Sequence, residues 1–132
     1  MSDLILVVED NETNQILVRA VLELDGYRVE VAGSAGEAWK AVRDLAPDLI
    51  LMDVQLPGQD GLSLTRELKA DPATAAIPVV ALTAHAMSGD RELALQAGCQ
   101  GYIAKPIDTR SFTAQVREYL ADGSPGERLV AR

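Results

Sequence analysis

Five polar residues stand directly after short apolar runs. Glu9 and Asp10 follow "LILVV" at 4–8, Asp53 follows "DLILM" at 48–52, Thr83 follows "IPVVAL" at 77–82, and Lys105 follows "GYIA" at 101–104. Taken singly, each has an ordinary use. Asp10 with Asn11 serves as a helix cap, Asp53 as a turn cap, Thr83 as a turn residue and Lys105 as a solvated charge. Brought together, they are a reactive set. Three carboxylates at one place repel one another and need a cation, and one lysine cannot neutralise three acids. An all-oxygen, partly hydrated site suits Mg²⁺ rather than zinc. A carboxylate beside Mg²⁺ can attack phosphorus to give an aspartyl-phosphate, and that reaction asks the protein chiefly for positioning and charge neutralisation. In such chemistry Asp53 attacks, Glu9 and Asp10 hold the metal, Lys105 pairs with a phosphoryl oxygen and the Thr83 hydroxyl donates to another.

The surrounding pattern supplies the means of bringing them together. With "RVEVA" at 28–32 the chain has five apolar runs. Four are almost wholly apolar, as parallel strands covered on both faces should be, and the 28–32 run alternates as an edge strand does. Helical patterns fill the gaps. Asn11 is placed to cap a first helix whose buried face is expected at Ile16, Leu17, Ala20, Val21 and Leu24, with Gly26 as its stop. Ser34 and Glu37 form a capping box ahead of Ala38, Ala41, Val42 and Leu45, and Pro47 prevents continuation. Leu64 and Leu68 mark a third helix. A fourth, about 87–97, has a poor apolar stripe, is expected to be short and mobile, and ends at Gly98. A fifth begins at Asp108 and buries Phe112, Val116, Tyr119 and Leu120. Five strands alternating with five helices predict an α/β domain with right-handed crossovers and helices on both faces. In a parallel sheet the strand exits share one edge, where open α/β folds place their ligand sites.

Composition narrows the function classes. The chain has 132 residues, 48% of them hydrophobic, which suits one domain with a real core and leaves no room for a second. A net charge of −8 with 12 scattered basic residues argues against nucleic acid as a partner. The apolar run in "MSDLILVVED" is too short for a membrane span or a signal-peptide core. The single cysteine, Cys99, fits a reducing compartment and a small buried residue, so a soluble cytoplasmic protein without membrane partners is expected. The end "ADGSPGERLVAR" reads as linker, giving a domain over 1–121 and a disordered tail over 122–132.

The segments "VVEDN", "DLILMDVQLPGQDG", "PVVALTA" and "GYIAKPI" resemble, in order and spacing, the four signature segments of the receiver domain of two-component response regulators. The resemblance spans about residues 3–121, and the chain also resembles the single-domain receivers. It implies a flavodoxin-like receiver fold, a five-stranded parallel sheet in the order 2-1-3-4-5. It also implies that Asp53 is the phosphoacceptor, Glu9 and Asp10 the acidic pair, and the Gln55 carbonyl a further Mg²⁺ ligand. Thr83 and Lys105 would sense the phosphoryl group, Tyr102 would be the switch aromatic, and the Lys105–Pro106 bond would be cis. The implied donor is a histidine kinase or histidine phosphotransfer protein, docking near helix one. The implied downstream protein binds the face of helix four, strand five and helix five. Such a chain catalyses transfer to its own Asp53 and slow autodephosphorylation, without turnover of external substrates.

Two neighbouring chemistries are excluded by residues. A haloacid-dehalogenase-type phosphatase needs a second Asp two residues after its nucleophile, where this chain has Gln55. A flavodoxin-like electron carrier binds a flavin phosphate in the loop after strand one, where "EDNETN" would repel it. The competing reading of another class is a receiver excised from a hybrid kinase or longer regulator and used as a plain interaction module. His85 near Thr83 has two readings, an influence on water access to the phosphoryl group or a loop residue with no chemical role. Trp39 reads as a partly buried packing residue, and Gly58 and Gly61 as turn glycines.

Overall fold

The computed structural model describes residues 3–56, 58, 60–83, 88–105 and 107–123. Strands and helices alternate strictly: β1 Leu4–Val8, α1 Glu12–Leu24, β2 Arg28–Ala32, α2 Ala35–Leu45, β3 Leu49–Asp53, α3 Gly61–Ala70, β4 Val79–Thr83, α4 Ser88–Ala97, β5 Gly101–Ala104 and α5 Thr109–Gly123. The strands form one parallel sheet in the order β2-β1-β3-β4-β5. Helix α5 runs to Gly123, into the first residues assigned to the tail, and 124–132 lie outside the described residues.

Alternate side chains of each strand feed two cores. On one face Ile5, Val7, Leu49, Leu51, Val80 and Leu82 meet Val18 and Leu22 of α1 and Phe112 and Val116 of α5. On the other, Leu6, Val8, Ile50, Met52, Val79 and Ala81 meet α2, α3 and α4. Strands β1, β3 and β4 are buried throughout, whereas edge strand β2 alternates, as its sequence pattern requires. Two strand boundaries move C-terminally. Asp48 lies before β3, where its Oδ2 accepts the Leu4 N–H at 2.7 Å, and Ile77 closes a turn by donating to the Thr74 carbonyl at 3.1 Å. The shift brings Asp53 and Thr83 inside the sheet as last residues of β3 and β4, with Asp53 opposite Leu82 and Thr83 opposite Ala104.

The helix phases depart from the sequence reading in α1 and α2. In α1 the buried residues are Val18 and Leu22 with Val21 half-buried, while Ala20 is exposed and Ile16, Leu17 and Leu24 are 62%, 40% and 90% exposed. This helix is apolar on two sides, so periodicity alone cannot choose its inward face. The N-cap at Asn11, whose side chain accepts the Asn14 N–H, and an inward Gln15 set residues 15, 18 and 22 on the sheet side. In α2 Leu45 is exposed because the chain turns away at Ala46, in the left-handed region at φ 48°. Ser34 accepts the Glu37 N–H as expected, but Glu37 reaches back to the Gly33 N–H instead of Ser34. Helix α4, ten residues long, is with α3 the shortest among the described residues, as its sequence led one to expect. Ala94 and Ala97 turn inward while Leu93 and Leu95 stay exposed, and that explains the weak stripe.

Candidate functional site

The carboxyl edge of the sheet gathers residues from four strands. Glu9 leaves β1 almost wholly buried, 1% exposed. Its N–H donates to the Ala32 carbonyl at 2.9 Å, and its Oε2 accepts the Asn11 N–H at 3.1 Å. Asp10 is exposed beside it. Asp53 is 4% exposed, and its Oδ1 accepts the Gln55 N–H at 3.0 Å. One carboxylate oxygen from each of Glu9, Asp10 and Asp53 lies within 4.8 Å of the others. Lys105 Nζ bridges two of them, 2.9 Å from Glu9 Oε1 and 3.2 Å from Asp53 Oδ2. The Lys105 N–H donates to the Thr83 carbonyl at 2.8 Å, tying the end of β5 to that of β4.

Helix α3 is pressed against this edge. A Cβ on Gly61 would stand 2.0 Å from the Asp53 carbonyl oxygen, so glycine is required here by close approach. This corrects the turn-geometry reading of Gly61. Gly58, at φ +80°, is the turn glycine of the pair. The Gly61 N–H donates to the Val54 carbonyl at 2.8 Å, and Asp60 caps α3 through the Leu62 and Ser63 N–H groups.

The electrostatics are those of an anionic pocket. Burial first, and Asp53 second, push the Glu9 carboxyl above its usual range, against the pull of Lys105 and the Asn11 N–H. Burial alone would depress the Lys105 ammonium, but Glu9 and Asp53 outweigh it and hold the group above its ordinary value. Three acids against one lysine leave two formal negative charges uncompensated within the cluster. The donors are all oxygen and one acid is open to solvent, so the set fits Mg²⁺ and offers no soft ligand to zinc.

Of the residues singled out in the sequence, Glu9, Asp10, Asp53 and Lys105 come together. Gln55 sits at the rim through its N–H, and Thr83 ends the adjoining strand, 7% exposed. Tyr102 stands apart on β5, half-buried beside Arg91, Glu92 and Leu95 of α4. Pro106 with the expected cis bond, and His85, lie outside the described residues. Cys99 is buried and Trp39 half-buried, with the Arg43 guanidinium 5.9 Å from its ring centroid. Two contacts escaped the sequence reading, the Lys105–Glu9 pair and a bond from Gln15 Nε2 to the Glu9 carbonyl. No local pattern signals either, although the "EDN" run pointed to the turn they hold.

A family profile described as "Response regulator receiver domain" matches residues 5–117. The chain belongs to the receiver domain family of response regulators. This receiver is 45% identical over 122 residues to the polar-differentiation response regulator DivK of Brucella ovis, covering 92% of this chain and 99% of that one. A putative response regulator from Chloroflexus aurantiacus superposes with a TM-score of 0.87 at 31% identity, covering 92% of this chain and 99% of its own. The receiver domain of a sensor histidine kinase from Pseudomonas aeruginosa, with a magnesium ion coordinated in its active-site cleft, superposes at 0.82 with 39% identity, covering 91% and 98%. The five-stranded, 2-1-3-4-5 receiver fold is thus the one the sequence resemblance implied. Among the described residues of this receiver no helix is long and apolar enough to cross a membrane.

Proposed function

We propose that this receiver takes a phosphoryl group onto Asp53 from a phosphohistidine donor and so switches a protein-binding face in a cytoplasmic two-component pathway. The observation that carries the reading is the cluster itself: three carboxylates within 4.8 Å of one another and Lys105 Nζ 3.2 Å from Asp53 Oδ2. Glu9, Asp10, Asp53 and the Gln55 carbonyl would hold Mg²⁺. The ion, when bound, supplies charge neutralisation for the incoming phosphoryl oxygens. Asp53 stays aligned because its Oδ1 is fixed by the Gln55 N–H and its main chain is packed against Gly61. A carboxylate oxygen of Asp53 forms the P–O bond as the donor's P–N bond breaks and the imidazole leaves with its electron pair. Lys105 exchanges its bond to Asp53 for one to a phosphoryl oxygen, and the Thr83 hydroxyl donates to another. Hydrolysis by water later restores the carboxylate, so the chain modifies itself and turns over no external substrate.

Two surfaces suit the two partners. Ile16 and Leu17 are exposed on α1, and Ile16 lines a cleft with Asp10, on the side to which a histidine kinase or histidine phosphotransfer protein must bring its phosphohistidine. The downstream partner takes the α4–β5–α5 face, on which Leu95 and Tyr102 lie side by side. Thr83 precedes α4 and Lys105 precedes α5, so their movement toward a phosphoryl group pulls on that face.

Incubation with acetyl phosphate and Mg²⁺, followed by intact mass, tests the reading. One added phosphoryl group is expected, absent with a chelator and absent in Asp53→Asn. Phosphorylation of Asp53→Asn would refute the assignment. A second reading, a receiver working as an interaction module, draws support from the 39% likeness to a receiver of a sensor histidine kinase. Under it, partner binding would be equal in wild type and Asp53→Asn with or without phosphodonor.

A further inference from the structure

Asp10 is the exposed member of the acidic cluster, and among the described residues no hydrogen bond holds its carboxylate. Its position therefore depends on its main chain. The peptide that enters Asp10 is planar and contains the Glu9 carbonyl, so the direction of that carbonyl sets the direction in which Asp10 leaves β1. Gln15, half-buried on α1, donates from Nε2 to that carbonyl at 2.5 Å. The other polar atoms of Glu9 are already held by Ala32, Asn11 and Lys105. The Gln15 bond is thus the one that orients the peptide between the two acids.

We propose that Gln15 is a positioning residue for Mg²⁺ binding, acting on Asp10 through the Glu9–Asp10 peptide. The inference rests on reading the acidic edge as the Mg²⁺ site. Gln15 touches neither metal nor phosphoryl group, and its effect passes through the turn that presents Asp10. Partners of this kind, one step removed from the ligand, commonly matter nearly as much as the ligand.

The test is Mg²⁺ titration by calorimetry of wild type, Gln15→Met, Gln15→Glu and Asp48→Ala. Methionine keeps the length of the side chain and removes the donor, and affinity should fall about tenfold. Glutamate removes the donor and adds a negative charge near the site. Simple attraction would then tighten Mg²⁺ binding, whereas loss of the bond weakens it, so weaker binding is expected. Asp48→Ala deletes the bond to the Leu4 N–H, at the opposite edge of the sheet, and serves as a variant destabilised without contact to the cluster. Its Mg²⁺ affinity should match wild type. In ¹⁵N spectra without Mg²⁺, the Asp10 amide should shift in Gln15→Met and stay in place in Asp48→Ala. Unchanged affinity in Gln15→Met, tighter binding in Gln15→Glu, or equal weakening in Asp48→Ala would overturn the proposal. A wild-type chain that binds no Mg²⁺ would instead overturn the metal reading beneath it.

Discussion

Lys105 Nζ lies 2.9 Å from Glu9 Oε1, joining the first and last strand exits of the sheet across 96 residues of sequence. Glu9 is 1% exposed, so without Lys105 a buried carboxylate would face Asp53 uncompensated. Breaking a buried ion pair costs about 3–5 kcal/mol, less where one partner reaches solvent, as the 19%-exposed Lys105 side chain does. Lys105→Met should therefore lower the unfolding free energy by about 2–3 kcal/mol in Mg²⁺-free urea titrations. A loss below a few tenths of a kilocalorie would mean that water, not lysine, compensates Glu9.

Mg²⁺ should stabilise the folded chain because it binds converging carboxylates that the unfolded chain disperses. At a hundred times its dissociation constant the gain is about 2.7 kcal/mol. The melting temperature should rise with added Mg²⁺ and return on chelation, and Asp10→Asn should blunt the rise. A fall on adding Mg²⁺ would contradict the clustered-acid picture.

Gly61→Ala should damage both fold and chemistry. Its Cβ would stand 2.0 Å from the Asp53 carbonyl oxygen and 2.9 Å from the carbonyl carbon, so α3 or the end of β3 must move. Overpacking of this kind costs about 1–3 kcal/mol. Phosphorylation by acetyl phosphate should slow more than in Gly36→Ala, where a Cβ meets nothing within 4 Å. Equal rates in the two variants would show that Asp53 tolerates displacement.

The alkaline side of the stability curve should carry the mark of Cys99. Burial raises its thiol from 9.0 to about 11, with Thr65 and Lys69 pulling partly back. The native state then holds this proton more tightly than the unfolded one. The corresponding stability, about 3 kcal/mol, is fully present below pH 9 and is lost as pH rises through about 11. Lys69, which burial lowers, contributes a slope of opposite sign, and because its charge interacts with the thiol the difference between wild type and Cys99→Ala reports the thiol together with that interaction. That difference in denaturant midpoint should narrow or reverse between pH 8 and 11. A constant offset would refute the assignment.

Beryllofluoride, a phosphoryl mimic, should shift amide resonances in α4, β5 and α5 as well as at the cluster. Thr83→Ala and Lys105→Ala should still accept phosphate to some degree yet lose these distant shifts. Coupling of about 1–3 kcal/mol is enough to change partner affinity usefully. Shifts confined to the strand exits would favour the plain interaction module.

Strand positions, helix order and the polar residues at the strand exits were legible in the sequence, because each depends on neighbours a few residues away. A run such as "LILVV" can only be buried, and Asn11, Ser34 and Asp108 announce helix starts through short-range bonds that form as expected. Parallel topology then sends every strand exit to one edge, so the meeting of Glu9, Asp10 and Asp53 followed from chain order. The inward face of α1 did not follow. Ile16, Leu17 and Leu24 compete with Val18 and Leu22 on equal hydrophobic terms, and only docking on the sheet, with Gln15 held at the Glu9 carbonyl, decides between them. The need for glycine at 61 and the pairing of Lys105 with Glu9 are likewise tertiary. The first joins the neighbouring elements β3 and α3 and the second spans 96 residues, and each distance is set by how helices and strand ends stack rather than by any local preference.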